Sequence, residues 1–268
     1  MADAGSTLSP FQIVAYWCWY RGEHFHGYQQ QQGVRTVQGE LLAAFARAGL
    51  TRNPVVAGRT DRGVSARMQV LSSRLERDRD PSEVAARLDA QLPEDLGIHL
   101  VRPAVDGFHA AFSARAKEYW YTLQDVGDEQ LLRDAIALVP GTRDFRVFHF
   151  KSSEVKPRTV TSVELVDGTL RFVGEGFARH MVRMLVGGLL AVARQSIPID
   201  VFKEGLEQQR NFYCPTAPPE PLMLYSVDYP PEVDPFSPAD RAAPQSPATL
   251  RGTARPLGST GPRCRSSS

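Results

Sequence analysis

Between residues 58 and 66 the chain reads Gly58-Arg59-Thr60-Asp61-Arg62-Gly63-Val64-Ser65-Ala66. One carboxylate, Asp61, stands between two guanidiniums, Arg59 and Arg62, inside a pair of glycines that let another backbone or a ligand come close. A carboxylate held between cations stays ionised, which suits a nucleophile or an electrostatic anchor and makes a poor general acid. The same residue types are ordinary in turns, so composition alone also allows a surface turn with an ion pair. Val55 and Val56 lead in and an apolar run from Met68 to Leu71 leads out, so the loop reads as a tight connection at the edge of a sheet.

Two further stretches carry side chains that such a carboxylate could use. Lys117 to Leu123 alternates as a strand, with Tyr119 and Tyr121 on one face and Trp120 on the other. Tyr121 fits sheet packing. Phe177 to Gly187 reads as a helix that is apolar nearly all round and therefore buried, with Arg179 and Arg183 four apart on one face. A guanidinium on a buried helix needs an anion, because its unpaired burial costs several kcal/mol, of the order of 3–5. Asp61 is the best partner for Arg183, ahead of Glu175, which precedes the helix, and of a ligand's phosphate, which is absent in the free protein.

The loop string resembles the signature of the TruA-type tRNA pseudouridine synthases, Gly-Arg-Thr-Asp, any residue, Gly-Val-His-Ala, with Ser65 in place of the His. Other stretches follow in the family's order over roughly residues 11 to 229. These are Phe25-His26-Gly27-Tyr28-Gln29 with Thr36-Val37-Gln38-Gly39, then Phe108 to Ala114, Gly141 to Phe145, Met181-Val182-Arg183, and Thr216-Ala217-Pro218. Departures are Arg21 for the usual Asp, Ala111 for Arg, Pro221 for Gly, and a shorter segment between the tyrosine strand and Gly141, which bears on the family's dimer contacts.

The resemblance implies an α+β fold of two domains, antiparallel sheets backed by helices around a central RNA-binding cleft. It implies isomerisation of uridine to pseudouridine in the anticodon stem-loop of tRNA, at tRNA positions 38–40, by a homodimer, without a cofactor. It makes Asp61 the nucleophile, Tyr119 the face on which the extruded base stacks, and Arg183 the partner of Asp61. Arg59 would fill the space the base leaves or hold its phosphate, and Arg62, Arg179 and Lys117 complete the candidate RNA-binding set. The alternative is a non-catalytic or altered-specificity RNA-binding homologue.

The elements that position these residues are legible in part. Phe11 to Tyr20 reads as a strand, and a Gly-punctuated loop follows in which His24 and His26 read as solvated. Thr36 caps a helix carrying Val37, Leu41, Leu42 and Phe45, and Asp80-Pro81-Ser82-Glu83 opens a second. Leu96 to Val101 is a short strand, Asp128 to Val139 a helix, and Leu222 to Tyr229 a closing strand. Thr159–Val166 and Thr169–Gly174 joined by Asp167-Gly168 form a hairpin.

With 268 residues, 42% apolar and 23% charged, the chain can bury a sizeable core. Its 31 basic and 30 acidic residues leave a net charge of +1, so an RNA site must be a local basic patch. The three cysteines, Cys18, Cys214 and Cys264, lack metal-ligand spacing, and no membrane-length apolar run or leader pattern is present. These features read as cytoplasmic, reduced, metal-free and not membrane-bound. The expected division is 1–107 with the catalytic loop, 108–230, and a disordered tail at 231–268 rich in Pro, Ser and Arg.

Overall fold

In β1 (Phe11–Tyr20) every residue from Val14 to Tyr20 is buried, so it is an inner strand of a sheet covered on both faces there. The computed structural model describes residues 9–149, 156–208 and 212–242. On one face Phe45 of α1 (Val37–Arg47) meets Tyr16 at 5.2 Å between ring centroids. On the other Phe236 meets Trp17 edge-on at 5.6 Å. Consecutive residues of a strand point to opposite faces, so one aromatic pair on β1 anchors both layers.

After α1 come β2 (Val55–Val56), β3 (Ser65–Glu76), α2 (Pro81–Asp89), β4 (Leu96–Ala104) and β5 (Ala116–Thr122). The second half holds α3 (Glu129–Leu138), β6 (Gly141–Arg143), β7 (Arg158–Val166), β8 (Thr169–Gly174), α4 (Met181–Ala193), α5 (Ile199–Leu206), β9 (Leu222–Asp228) and α6 (Pro238–Ala242). The expected caps are in place. Thr36 accepts from the Gly39 N–H, and Asp80 from those of Ser82 and Glu83; the structure adds a third cap, Asp128, which accepts the Leu131 N–H. Asp167 and Gly168 both adopt positive φ, as a two-residue hairpin turn requires.

The strands form one open mixed sheet of order β4-β1-β3-β9-β5-β8-β7-β6, with β2 paired to β3. The fold is α+β, as expected, but the cleft does not lie between two separate sheets. The antiparallel first-half strands join the antiparallel second-half strands through a short parallel contact, Ser65 with Met223 and Ala66 with Leu224. That contact falls immediately after the 58–64 loop, so the loop sits above the seam of the two halves.

Two expectations about boundaries need correction. The helix read from Phe177 begins at Met181, and Arg179 lies in the turn ahead of it, so Arg179 and Arg183 do not share a helical face. The tail expected from residue 231 is not free of the body over its first stretch. Phe236 is buried against Trp17, Arg241 pairs with Asp234 at 2.7 Å, and Arg102 of β4 pairs with Asp240 of α6. One large aromatic side chain and the pairs of Asp240 with Arg102 and of Arg241 with Asp228 dock a segment whose average composition is loop-like, and the Arg241–Asp234 pair braces it internally. Residues 243–268 lie outside the described residues. Among the described residues no helix is long and apolar enough to cross a membrane.

Candidate active site

The loop is fixed from beneath by a buried polar chain. Gln69 of β3, fully buried, donates from Nε2 to the Gly58 carbonyl at 2.7 Å and to the Tyr20 hydroxyl at 3.2 Å. That hydroxyl lies 2.8 Å from Thr60 Oγ1. Each buried polar group has a partner, so the network sets the loop's height above the sheet without an unpaired group. From the side, Tyr28 N–H donates to the Thr60 carbonyl and Gly63 N–H to the Phe25 carbonyl, lacing the loop to the 25–28 segment. Gly63 has φ +80, and a Cβ there would lie 2.9 Å from Pro219 Cγ, so glycine is required twice over. Ser65, where the resembling family has His, is buried and accepts the Gly22 N–H at 3.0 Å. The position does structural work in this chain.

This scaffold turns the Asp61 carboxylate toward the start of α4. Arg183 Nη1 lies 3.8 Å from Oδ2, and His180 Nε2 lies 3.5 Å from Oδ1. Arg183 is itself held, its Nε donating to the Ala217 carbonyl at 2.8 Å while Ala217 N–H donates to the Arg183 carbonyl at 3.1 Å. The Ala217 segment can approach α4 because residue 187 is glycine; a Cβ there would lie 1.9 Å from the Pro215 carbonyl oxygen. Asp61 and Arg183 thus meet across the seam, as the sequence led us to expect.

Around the carboxylate opens a pocket of about 1120 Å³. Asp61, Arg59, Arg62, Tyr119, Arg179 and Arg183 all line it. Arg59 and Arg62 are exposed at its rim, so the cation beside the carboxylate is Arg183 from α4 and not a sequence neighbour. Tyr119 is nearly buried, and its ring meets Phe177 edge-on at 5.3 Å. Burial and then the Asp61 charge push its hydroxyl well above the ordinary tyrosine range, so it stays protonated at any physiological pH. Trp120 faces the other way and stacks on Tyr225 at 3.5 Å. Lys117 is not among the lining residues. Its stem packs under Gly58, a Cβ on which would lie 3.3 Å from Lys117 Cε, and burial followed by Arg158 lowers its pKa.

Sequence reasoning passed over several neighbours. His26, read as solvated, lines the pocket, and His24, exposed, bonds through Nδ1 to Asp95 at 3.1 Å. His180 stood inside the quoted apolar run but was given no role. Its φ of 63 places it in the left-handed region, and its side chain does not cap the helix it precedes. A non-glycine residue held there costs about 1–2 kcal/mol. Glu220 and Pro219 close the pocket on the β9 side. Among the described residues no group of three or more His, Cys, Asp or Glu is set to hold a metal.

Fold and site together define an α+β protein with the Asp61 carboxylate in an arginine-lined pocket spanning both halves of the chain, with the aromatic rings of Tyr119 and Phe177 beside it. A family model described as tRNA pseudouridine synthase matches residues 19–113 and 135–230. Among relatives, the tRNA pseudouridine synthase A of Geobacillus sp. (strain WCH70) is 37% identical over 236 residues, covering 78% of this chain and 95% of the relative. That of Methanothrix thermoacetophila is 36% identical, covering 78% and 80%, and that of Streptococcus sanguinis 33% identical, covering 78% and 96%. The chain belongs to the tRNA pseudouridine synthase family. Tyr119 falls between the two matched blocks, so its role rests on its place in the pocket.

Proposed function

We propose that this chain isomerises uridine to pseudouridine in tRNA, with Asp61 as the nucleophile. The observation that carries this reading is the Asp61 carboxylate lining the pocket, with Arg183 on one oxygen and Tyr119 lining the same pocket. In the reaction the bond from ribose C1′ to uracil N1 breaks, the ring turns, and C1′ bonds to C5. C5 then loses its proton and N1 takes one up. Atoms and electrons balance within the substrate, so the chemistry asks for no redox or group carrier.

A uracil inside a stem is out of reach of any side chain and has to leave the stack. The pocket offers it the ring of Tyr119 for stacking, and Arg59, Arg62 and Arg179 offer charge to the flanking phosphates. An ionised carboxylate attacks without prior proton transfer, and the bond it forms, to the sugar or to the uracil ring, breaks again before the product leaves, which returns Asp61 as a free carboxylate. The proposed target is the anticodon stem-loop, the proposed assembly a homodimer, and the proposed location the cytoplasm; the family resemblance supports them. Lys117, set beneath the loop, contributes to RNA binding through the loop's position or not at all.

The test is to map pseudouridines in total tRNA from cells with and without the gene. Loss of pseudouridine from the anticodon stem-loop alone is the expected result. An unchanged tRNA map would overturn the reading.

A further inference from the structure

His180 reaches Asp61 by an unusual route. Its backbone is left-handed at φ 63 and ψ 0, its carbonyl opens α4 by accepting the Met184 N–H, and its imidazole faces the Asp61 Oδ1 at 3.5 Å. The side chain is three-quarters buried and lines the catalytic pocket. An aspartate carboxylate rotates in a broad, two-fold torsional well, so a contact on one oxygen does not set its plane. Arg183, at 3.8 Å from Oδ2 and with its Nε committed to Ala217, supplies one contact.

We propose that His180 is a positioning residue that holds the Oδ1 side of the Asp61 carboxylate while Arg183 holds the Oδ2 side. This rests on the reading of Asp61 as the nucleophile. The two holds come from one turn of one segment, so the start of α4 sets both the place and the plane of the attacking group.

The charge state of His180 then matters. Burial disfavours its imidazolium; Asp61 opposes that, and Arg183 and Arg179 reinforce it, so its pKa lies below the ordinary histidine value. Tyr119 from β5 and Glu220 from ahead of β9 line the pocket with it, and His26 and Glu23 stand on the 22–28 side. At neutral pH the imidazole is uncharged, and with its proton on Nε2 it presents an N–H to Oδ1, 3.5 Å away, without neutralising the carboxylate. Protonated, it becomes a cation against the nucleophile and weakens attack. Turnover therefore falls on the acid side as pH drops through the His180 pKa.

The test compares the parent with His180→Gly and His180→Gln. Glycine removes the imidazole and relieves the left-handed backbone, so the fold is kept. Glutamine carries a non-titrating N–H donor, and this chain already holds Gln195 and Gln208 at φ 57 and 61. Single-turnover rates on unmodified tRNA are measured from about pH 5.5 to 8.5, the range over which histidine titrates. His180→Gly is expected to be at least about tenfold slower at neutral pH with tRNA affinity within about twofold, a loss confined to the reacting complex. His180→Gln is expected to recover within about threefold and to move the acid limb to lower pH. An unchanged limb in His180→Gln together with an undiminished rate in His180→Gly overturns the proposal.

A readout independent of turnover separates this inference from the enzymatic reading. The imidazole of His180 is titrated by NMR in the free parent and in Asp61→Asn. Removing the Asp61 charge is expected to lower the His180 pKa further, and an unchanged value overturns the contact. A parent that forms no pseudouridine at any pH refutes the enzymatic reading, and the titration still decides whether the imidazole holds the carboxylate.

Discussion

Arg183 binds Asp61 with one arm only: Nη1 stands 3.8 Å from Oδ2 while Nε is fixed on the Ala217 carbonyl at 2.8 Å. One guanidinium thereby ties the loop after β2 to α4 and to the segment that leads into β9. Arg183→Met removes the charge and the hydrogen bond together and strands a half-buried carboxylate and a carbonyl. A loss of about 1–3 kcal/mol of stability is expected. Asp61→Leu combined with Arg183→Met should recover part of it without activity. Denaturation midpoints of the four proteins in the cycle check this, and simple additivity would show that the pair does not interact.

The loop's support is tested from below. Gln69→Leu leaves the Gly58 carbonyl and the Tyr20 hydroxyl without their donor in a fully buried place. A cost of about 1–3 kcal/mol is expected, with kcat falling more than tRNA affinity as Asp61 loses its height. Equal loss in kcat and in binding would mean that the network serves folding alone.

Tyr119 separates stacking from packing. Removal of a base–aromatic stack costs about 1–3 kcal/mol, and Tyr119→Phe keeps the ring. Because Tyr119 is nearly buried against Phe177, Tyr119→Ala also opens a cavity, so folding has to be measured beside turnover. The expected order in kcat/KM is parent, then Phe close behind, then Ala far below. A Phe variant as slow as the Ala variant would place the function on the hydroxyl instead of the ring.

The segment after β9 is part of the folded body through α6. A chain ending at Glu232 loses Phe236 and the pairs made by Asp234, Asp240 and Arg241. A chain ending at Ala242 keeps them. Loss of the buried Phe236 ring alone is worth about 3–5 kcal/mol. The shorter chain should therefore melt well below the longer one. Equal midpoints for the two truncations would show that the docked segment adds nothing.

These residues also show what the sequence could disclose. The Asp61–Arg183 contact, the caps at Thr36 and Asp80 and the Asp167-Gly168 turn were readable because each is written in a few contiguous positions with a local physical rule. The Tyr20–Thr60–Gln69 chain was not, since its members lie on β1, the loop and β3, and only strand register brings them together. His180 was masked by the apolar run around it, which let the helix be extended backward over a left-handed residue. Phe236 was missed because a composition averaged over residues 231–268 hides one anchoring ring. The continuity of the sheet rests on two residue pairs between β3 and β9, too short a contact to leave a pattern.

The most direct test of the account is the turnover of Asp61→Asn. Asparagine keeps the size of the side chain and a hydrogen-bonding oxygen but removes the charge and the nucleophile. Single-turnover formation of pseudouridine in unmodified tRNA is followed alongside tRNA affinity. The account predicts no detectable product, a fall of at least about 10³-fold, with affinity within about threefold of the parent. Product formation within about tenfold of the parent would contradict the claim that Asp61 carries the chemistry.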